Sequence, residues 1–528
     1  MVGAGGGGLV VAHELVQAGI EVGLVDAGPW LDPDRDYDRL ECNMGSMVSG
    51  RLRWGPGDRS KPPWMRQRHG VNIILQAAGV GGTTRHYNAI AARAYRDSVT
   101  PDWPLSYSEL AALYEEIEDF LPVVAAAPFA PKDLVFGRGC RDVGLRRSDS
   151  KDIAGPPSWG ASYNAILSPT GQTIVNGEAG PGCTMCGHCF VGCSLPADAP
   201  PDRKAKRSTD VAFLPPALRT GRLRVLPDAF ATRVLFDDDR GKARARGIRI
   251  RSTVDGTEMD LRAEVVVIAG GSIESPRLWL QSGLPNSNDV VGRYLTNHYQ
   301  DVVTGFMNEE VNPDVGMVTM AKADFPGYGR IWAEGIGPWG FSVALTAAGG
   351  GFWSDPVDGQ PPPWDFAGRG WGTEAMERLV RYSQALTIVL STDDEERSSN
   401  RVSVAEDWPA DEHGLVASVS YLPTDATRMR RDWLAVRAAE ILRAAGAVEV
   451  HRSEMKRALM AHIMGTMRMS ADPKVGVVDG GCEAHEVSGL FVGDSSVLPN
   501  GLGGAPPTLT TQALALRTAR TVLKRYFS

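Results

Sequence analysis

Met1-Val2-Gly3-Ala4-Gly5-Gly6-Gly7-Gly8-Leu9-Val10 opens the chain. Gly3, Gly5 and Gly8 fit G-x-G-x-x-G. A helical stretch follows over Leu9 to Ala18, with Leu9, His13 and Val16 near one face, and Ile20 to Val25 then reads as a strand ending at Asp26. Strand, glycine turn, helix and strand in this order predict a dinucleotide site. Gly3 permits the tight turn, Gly5 lets backbone approach a pyrophosphate, and Gly8 allows the helix to pack closely on the strand. The unpaired N–H groups of the helix start would face the phosphates. An acid about 20 residues on suits a ribose hydroxyl, and Asp26 occupies that place. Two residues precede Gly3, so the first strand reads as very short.

Working outward, 528 residues are too many for one simple core and suggest two domains that can interleave along the chain. A hydrophobic content of 43% and a charged content of 22% are those of a globular protein. The net charge of −8 argues against a nucleic-acid partner. No run of about 20 apolar residues reads as a membrane span, and no secretory signal is visible, so a cytoplasmic location is the expectation. Seven cysteines make no disulfide framework.

The C-terminal region carries further motifs. It reads His462-Ile-Met-Gly-Thr-Met-Arg-Met, then Gly489-Leu-Phe-Val-Gly-Asp494, then Pro507-Thr508-Leu-Thr-Thr-Gln-Ala-Leu-Ala-Leu-Arg517. Gly79-Val-Gly-Gly-Thr-Thr84, Asp102-Trp-Pro with Ser106-Tyr107, Gly271-Ser-Ile-Glu-Ser-Pro, and Gly292-Arg-Tyr-Leu with His298 lie between the two ends. In this order the motifs resemble the glucose–methanol–choline (GMC) oxidoreductases over nearly the whole chain. The resemblance implies an α/β fold in which a Rossmann-like FAD-binding domain (residues 1–294 and 453–528) is interleaved with a substrate domain of antiparallel sheet and helices (residues 295–452).

By the same resemblance, Gly3, Gly5 and Gly8 hold the FAD pyrophosphate and Asp26 the adenosine ribose. Gly81, Gly82, Thr83 and Thr84 lie against the isoalloxazine, Asp494 sits near the ribityl and pyrophosphate, and Pro507 and Thr508 offer backbone to the pyrimidine edge. His462 stands before the flavin as general base, taking the proton of a substrate alcohol while the flavin N5 accepts hydride. A neutral imidazole suits that task at physiological pH. His298 reads as part of the fold rather than of the chemistry, and His86, just after the flavin-facing turn, as a candidate for the pocket wall.

One position departs from the family. Many members place Asn or His one residue before the Pro-Thr pair, and this chain has Pro506, which has neither a side-chain donor nor a backbone N–H. Asn500 is the nearby candidate for a second catalytic side chain. The departure keeps a lyase or isomerase of the same fold open beside oxidation of an alcohol, sugar or glycoside, and the cysteine loop keeps open a flavoprotein dehydrogenase passing electrons through an iron–sulfur cluster. The natural acceptor, whether oxygen, a quinone or a redox protein, is not legible.

The cluster reading comes from Cys183-Thr-Met-Cys186-Gly-His-Cys189-Phe-Val-Gly-Cys193, in a Cys-rich loop over about residues 181–195. Its C-x2-C-x2-C-x3-C spacing is that of bacterial iron–sulfur proteins, with Ser194 where proline is usual. Some dehydrogenases that resemble this chain carry three cysteines matching Cys183, Cys189 and Cys193. Three readings stand: an iron–sulfur cluster on Cys183, Cys186, Cys189 and Cys193, a zinc site, and a metal-free cysteine loop. After it, Arg203-Lys-Ala-Lys-Arg207 reads as a solvated basic run.

The spacing further predicts strands at Leu223 to Val225, Thr232 to Phe236, Gly247 to Arg251 and Glu264 to Ala269. It predicts antiparallel sheet through Val402 and Val404 and through Leu415 to Tyr421, and helices over Thr424 to Ala445 and Thr508 to Lys524. Residues 338–372 are rich in Gly, Pro and aromatics, including Trp339, Phe341, Trp353, Trp364, Phe366 and Trp371. They read either as rings at a pocket mouth or as a surface loop packing on itself.

Overall fold

The computed structural model describes residues 1–36, 60, 68–70, 72–169, 174–175, 178–179, 182–197, 199–239, 241–346, 361–404, 407–454 and 458–528. Trp353 lies outside them.

A parallel sheet carries the first half of the fold. Val22–Val25 pairs with Leu223–Leu226, and Val266–Ile268 with Leu490–Val492, all in parallel. Val2 bridges Val25 on one side and Ile268 on the other. The short segment predicted from the two residues before Gly3 therefore holds the central position, where Val2 N–H donates to Val267 and Gly3 N–H to Val25, at 2.9 and 2.8 Å. Near-continuous apolar runs such as Leu490–Val492 are what a parallel strand covered on both faces needs. The helices Gly8–Gln17 and Thr508–Val522 pack against one another, burying Leu9, Val11, Ala513 and Leu516. Both ends of the chain thus meet on one sheet. Beside it Ala229–Asp239, Lys242–Ser252 and Glu258–Arg262 form an antiparallel meander.

An eight-stranded sheet carries the second half, in the order 366–367, 449–453, 300–306, 385–392, 329–334, 319–325, 158–161, 146–147. Its central strands are antiparallel. Alternation along each strand sorts its side chains. Val303, Leu386, Ile388, Leu390 and Ile331 pack under the helix Asp425–Ala444, whose Leu434, Ala435, Ala438 and Leu442 complete that core. Val302, Val389 and Trp332 point the other way. Two strands, Arg146–Arg147 and Ser158–Ala161, come from before residue 295, so a boundary drawn there cuts this sheet. They are too short to show alternation. The alternating Val402 and Val404 also belong elsewhere, since Arg401–Val404 and Ala417–Ser420 join Arg68–His69 in a separate three-stranded sheet.

Within the aromatic-rich stretch, Phe341 and Trp364 are buried and Trp371 is exposed. No helix among the described residues is long and apolar enough to cross a membrane.

Candidate active site

The parallel strands end on one side at Gly3, Asp26, Ala269 and Gly493, and the helices Gly8–Gln17, Gly271–Ser282 and Thr508–Val522 begin there. These ends frame a crevice of about 450 Å³. Open α/β sheets bind ligands at this place, and three helix N-termini supply unpaired N–H groups and favour an anion.

Gly3, Gly5, Asp26, Gly82, Thr83, Thr84, Asp494, Pro507, Thr508 and His462 all line the crevice. Gly8 and Gly81 support it from behind. A Cβ on Gly8 would collide with the Gly3 carbonyl, which fits the close packing expected of it. Gly81, at φ +100°, donates its N–H to the Ala4 carbonyl at 2.8 Å and so ties the two glycine turns together. A Cβ on Gly5 would meet only the Gly82 Cα, at 3.8 Å. The first turn is thus shaped for close approach by a ligand, with Gly82 opposite.

Asp26 does more than wait for a ribose. Its carboxylate accepts N–H bonds from Ala4 (2.8 Å), Gly28 (2.9 Å) and Gly79 (2.7 Å), clamping three turns at the crevice. Burial pushes its pKa above the ordinary carboxylate value despite those donors. Asp494 joins the other end, accepting from Gly271 N–H (2.9 Å), the Ser275 hydroxyl (2.6 Å) and Ser496 N–H (2.8 Å).

His462 sits half-buried in the wall. Its Nδ1 lies 2.8 Å from Nδ1 of His298, and His298 Nε2 lies 2.8 Å from the Gly501 carbonyl. A carbonyl only accepts, so His298 Nε2 carries its proton. In a neutral ring Nδ1 of His298 is then the acceptor, and His462 Nδ1–H is the donor. That tautomer leaves Nε2 as the basic atom of His462. Both rings are held neutral: burial lowers His298 to about 4. Burial, His298 and the Arg330 charge keep His462 well below the ordinary value. His298, expected to serve the fold alone, is therefore in direct contact with the candidate base.

The eight-stranded sheet roofs the crevice with one face. Cross-strand register places Gln300, Ser391 and Arg330 in one row, Val302, Val389 and Trp332 in the next, and Thr304, Thr387 and Glu334 in a third. The Trp332 and His462 ring centroids are 6.5 Å apart. Glu334 is buried in the crevice wall, with its Oε1 accepting from Asn88 Nδ2 at 2.7 Å and its Oε2 from the Thr319 hydroxyl at 2.9 Å. Sequence reasoning missed Gln300, Trp332 and Glu334. The available signal was an acid at the end of Gly329–Glu334, two residues from a tryptophan and so on its face.

Two family models, both described as GMC oxidoreductase, match residues 173–300 and 396–515. A 2-methyl-1,2-propanediol dehydrogenase of Mycolicibacterium austroafricanum is 25% identical, with 100% of this chain and 95% of the relative covered. A 6'''-hydroxyparomomycin C oxidase of Streptomyces lividus is 27% identical, with 99% and 90% covered. Among solved structures, a formate oxidase of Aspergillus oryzae RIB40, described for its FAD modification, superposes with a TM-score of 0.67 at 13% identity, covering 99% of this chain and 97% of that one.

The chain belongs to the GMC oxidoreductases.

As a GMC oxidoreductase it is an FAD-dependent enzyme acting on CH–OH donors. The crevice fits FAD on its own terms. The glycine cradle faces three helix starts, and the buried Thr511 hydroxyl at the crevice has no partner among the described residues. At the position where many GMC members carry Asn or His, Pro506 lines the crevice without a polar side-chain atom.

Asn500 does not replace it. The Asn500 side chain donates to the Ser98 carbonyl at 2.7 Å and accepts from Leu502 N–H at 3.1 Å, and it is not part of the crevice lining. It fixes the loop before Pro506, so the catalytic role expected for Asn500 is corrected to a positioning one. His86 does line the crevice, with Nδ1 3.1 Å from the Phe190 carbonyl.

The cysteine loop frames a separate cavity of about 30 Å³. Cys183, Cys186, Cys189 and Cys193 are all free thiols there. Among the described residues no three His, Cys, Asp or Glu side chains gather to hold a metal ion, so the metal-ligand reading of the four finds no support in the geometry. Burial raises Cys183 to about 12 and Cys189 to about 11, which favours thiols over thiolates.

The basic run after the loop is not solvated. Lys204, Lys206 and Arg207 are buried. Lys206 Nζ donates to the carbonyls of Arg85 (2.6 Å), Tyr87 (3.2 Å) and Cys189 (2.7 Å), lacing the cysteine loop to the end of the flavin-facing turn. The backbone oxygens gathered around each ammonium replace its water.

Proposed function

We propose that this GMC oxidoreductase oxidises an alcohol carbon held between the flavin-facing turn, Gly81 to Thr84, and the roof around Trp332, with His462 as the general base. The observation that carries the reading is the His298–His462 hydrogen bond. It sets the tautomer in which Nε2 of His462 can take a hydroxyl proton.

The residues divide the work. Gly3, Gly5 and the start of Gly8–Gln17 bind the pyrophosphate; Asp26 holds the turns beside the adenosine end; Thr508 and Pro507 lie at the far end. The chemistry FAD supplies when bound is acceptance of a hydride at its N5. His462 Nε2 draws the proton from the substrate hydroxyl, which makes the carbinol C–H a hydride donor. Val302, Val389 and Trp332 exclude water over the site and place the carbon.

An anaerobic screen of alcohols, diols and sugars tests this, read as loss of the oxidised-flavin absorbance. Bleaching by an alcohol supports oxidation. Turnover without bleaching supports the lyase or isomerase alternative, which uses the same base. Iron analysis of the purified protein tests the cluster alternative.

A further inference from the structure

Glu334 stands out among the roof residues that this proposed reaction leaves unused. It is 4% exposed, it lines the crevice, and its two oxygens accept from Asn88 and Thr319. All of its hydrogen-bonding neighbours are neutral donors. Among the described residues no basic group comes within ion-pair distance of it. The charge of Lys132 reaches Glu334, but the ammonium itself pairs with Asp133 at 2.8 Å.

A buried carboxyl in an apolar wall is costly unless a positive charge meets it or it takes up a proton. Here burial raises its pKa to about 7, above the ordinary carboxylate range. Asn88, Thr319 and the Trp332 side chain bond the carboxyl, and a carboxylate with about four acceptor sites still has room for a further donor. The wall therefore offers an acidic group with room to accept and, among the described residues, with no ion-pair partner.

Its place along the roof sets what could reach it. Trp332 and Glu334 are two residues apart on one strand and on one face, which is about 7 Å. The Trp332 ring stands 6.5 Å from His462. A molecule whose carbinol lies at His462 and whose chain runs beneath Trp332 would bring its other end to Glu334, several bonds away.

We infer that Glu334 receives a cationic nitrogen of the substrate, so that the preferred substrates are amino alcohols or amino sugars whose ammonium lies several bonds from the oxidised carbon. The inference rests on the proposed alcohol oxidation for the location of the reacting end. The carboxyl itself takes no part in the chemistry; it selects and orients.

The test separates recognition from turnover by using ligands that cannot be oxidised. The FAD-loaded enzyme and Glu334→Gln are titrated at pH 8 with n-alkylammonium chlorides of five to eight carbons, read from the flavin absorption spectrum and from the thermal midpoint. Matched 1-alkanols are titrated under anaerobic conditions. Alkylammonium ions are expected to bind the wild type and to bind Glu334→Gln at least about tenfold more weakly, while 1-alkanol affinity stays within about twofold. Equal ammonium binding by both proteins overturns the assignment. So does an equal loss for ammonium and alkanol, which marks a general disturbance of the wall. Steady-state oxidation of ω-amino alcohols and equal-length diols then gives the second readout: the substitution should raise KM for the amino alcohol and leave kcat on the diol unchanged. Glu334-dependent ammonium binding without flavin bleaching by any alcohol would leave the recognition site standing and remove the oxidation proposal instead.

Discussion

Nδ1 of His298 and Nδ1 of His462 lie 2.8 Å apart, with His298 anchored through its other nitrogen to the Gly501 carbonyl. One histidine is thus the tautomer lock of another. Replacing His462 with alanine should slow flavin reduction by about 10²–10⁴-fold while FAD remains bound. His298→Asn should cost less, roughly 10–100-fold, the scale seen when the partner of a functional ring's second nitrogen is lost. Stopped-flow reduction of both variants checks this. Equal losses would mean that His298 does more than orient, and no loss in either would remove the pair from catalysis.

The glycine turn separates folding from cofactor binding. A methyl on Gly8 collides with the Gly3 carbonyl, whereas a methyl on Gly5 has the Gly82 Cα as its nearest neighbour, at 3.8 Å. Gly8→Ala should therefore destabilise the FAD-free protein by about 1–3 kcal/mol. Gly5→Ala should leave that stability within about 0.5 kcal/mol and weaken FAD binding, because its methyl enters the space for the pyrophosphate. Denaturant melts of FAD-free protein with FAD titrations distinguish the two outcomes.

The contrast shows what was legible in the sequence. Gly3 and Asp26 could be placed at the crevice because they belong to a local motif whose geometry is fixed within a few residues, and Asp494 and Pro507 because the resemblance to the GMC family carried them there. Glu334 and Trp332 could not be placed. Their strand reads Gly-Arg-Ile-Trp-Ala-Glu, and which face looks at the cofactor depends on the register with Ala385–Thr392 and on the helix Asp425–Ala444 covering the other side. Asn500 was misread for a related reason: proximity in sequence to Pro506 did not reveal that the Ser98 carbonyl claims its amide. The segments 146–147 and 158–161 are too short for periodicity to show, so their membership of the roof sheet was hidden.

Acid should weaken the fold over a defined window. His298 and His451 are fully buried, and burial lowers each from 6.5 to about 4. Below pH 6.5 the unfolded chain takes up protons at these rings while the folded chain does not. Stability is thus undiminished above 6.5 and falls as the pH drops from 6.5 toward 4. The two rings should cost roughly 1–3 kcal/mol each across that range. Thermal midpoints at closely spaced pH values check the slope. His451→Gln should flatten it, since His451 lies away from the crevice and bonds the Gly368 carbonyl at 2.8 Å.

Lys206 offers the last test, because its burial contradicts the usual behaviour of a basic run. Its ammonium serves carbonyls from two segments: Arg85 and Tyr87, directly after the flavin-facing turn, and Cys189 in the cysteine loop. Burial lowers its pKa, yet the surrounding carbonyls are arranged for a donor. Lys206→Met keeps the length of the side chain and leaves three acceptors without it, a loss of about 3 kcal/mol. Lys242→Ala, on an exposed strand end, should stay within about 0.5 kcal/mol. Since the lysine holds the cysteine loop against residues that follow Thr84, Lys206→Met should also loosen FAD and make Cys189 react faster with a thiol reagent. A Lys206→Met protein with unchanged thiol reactivity and unchanged FAD affinity would show that the two segments hold together without the lysine.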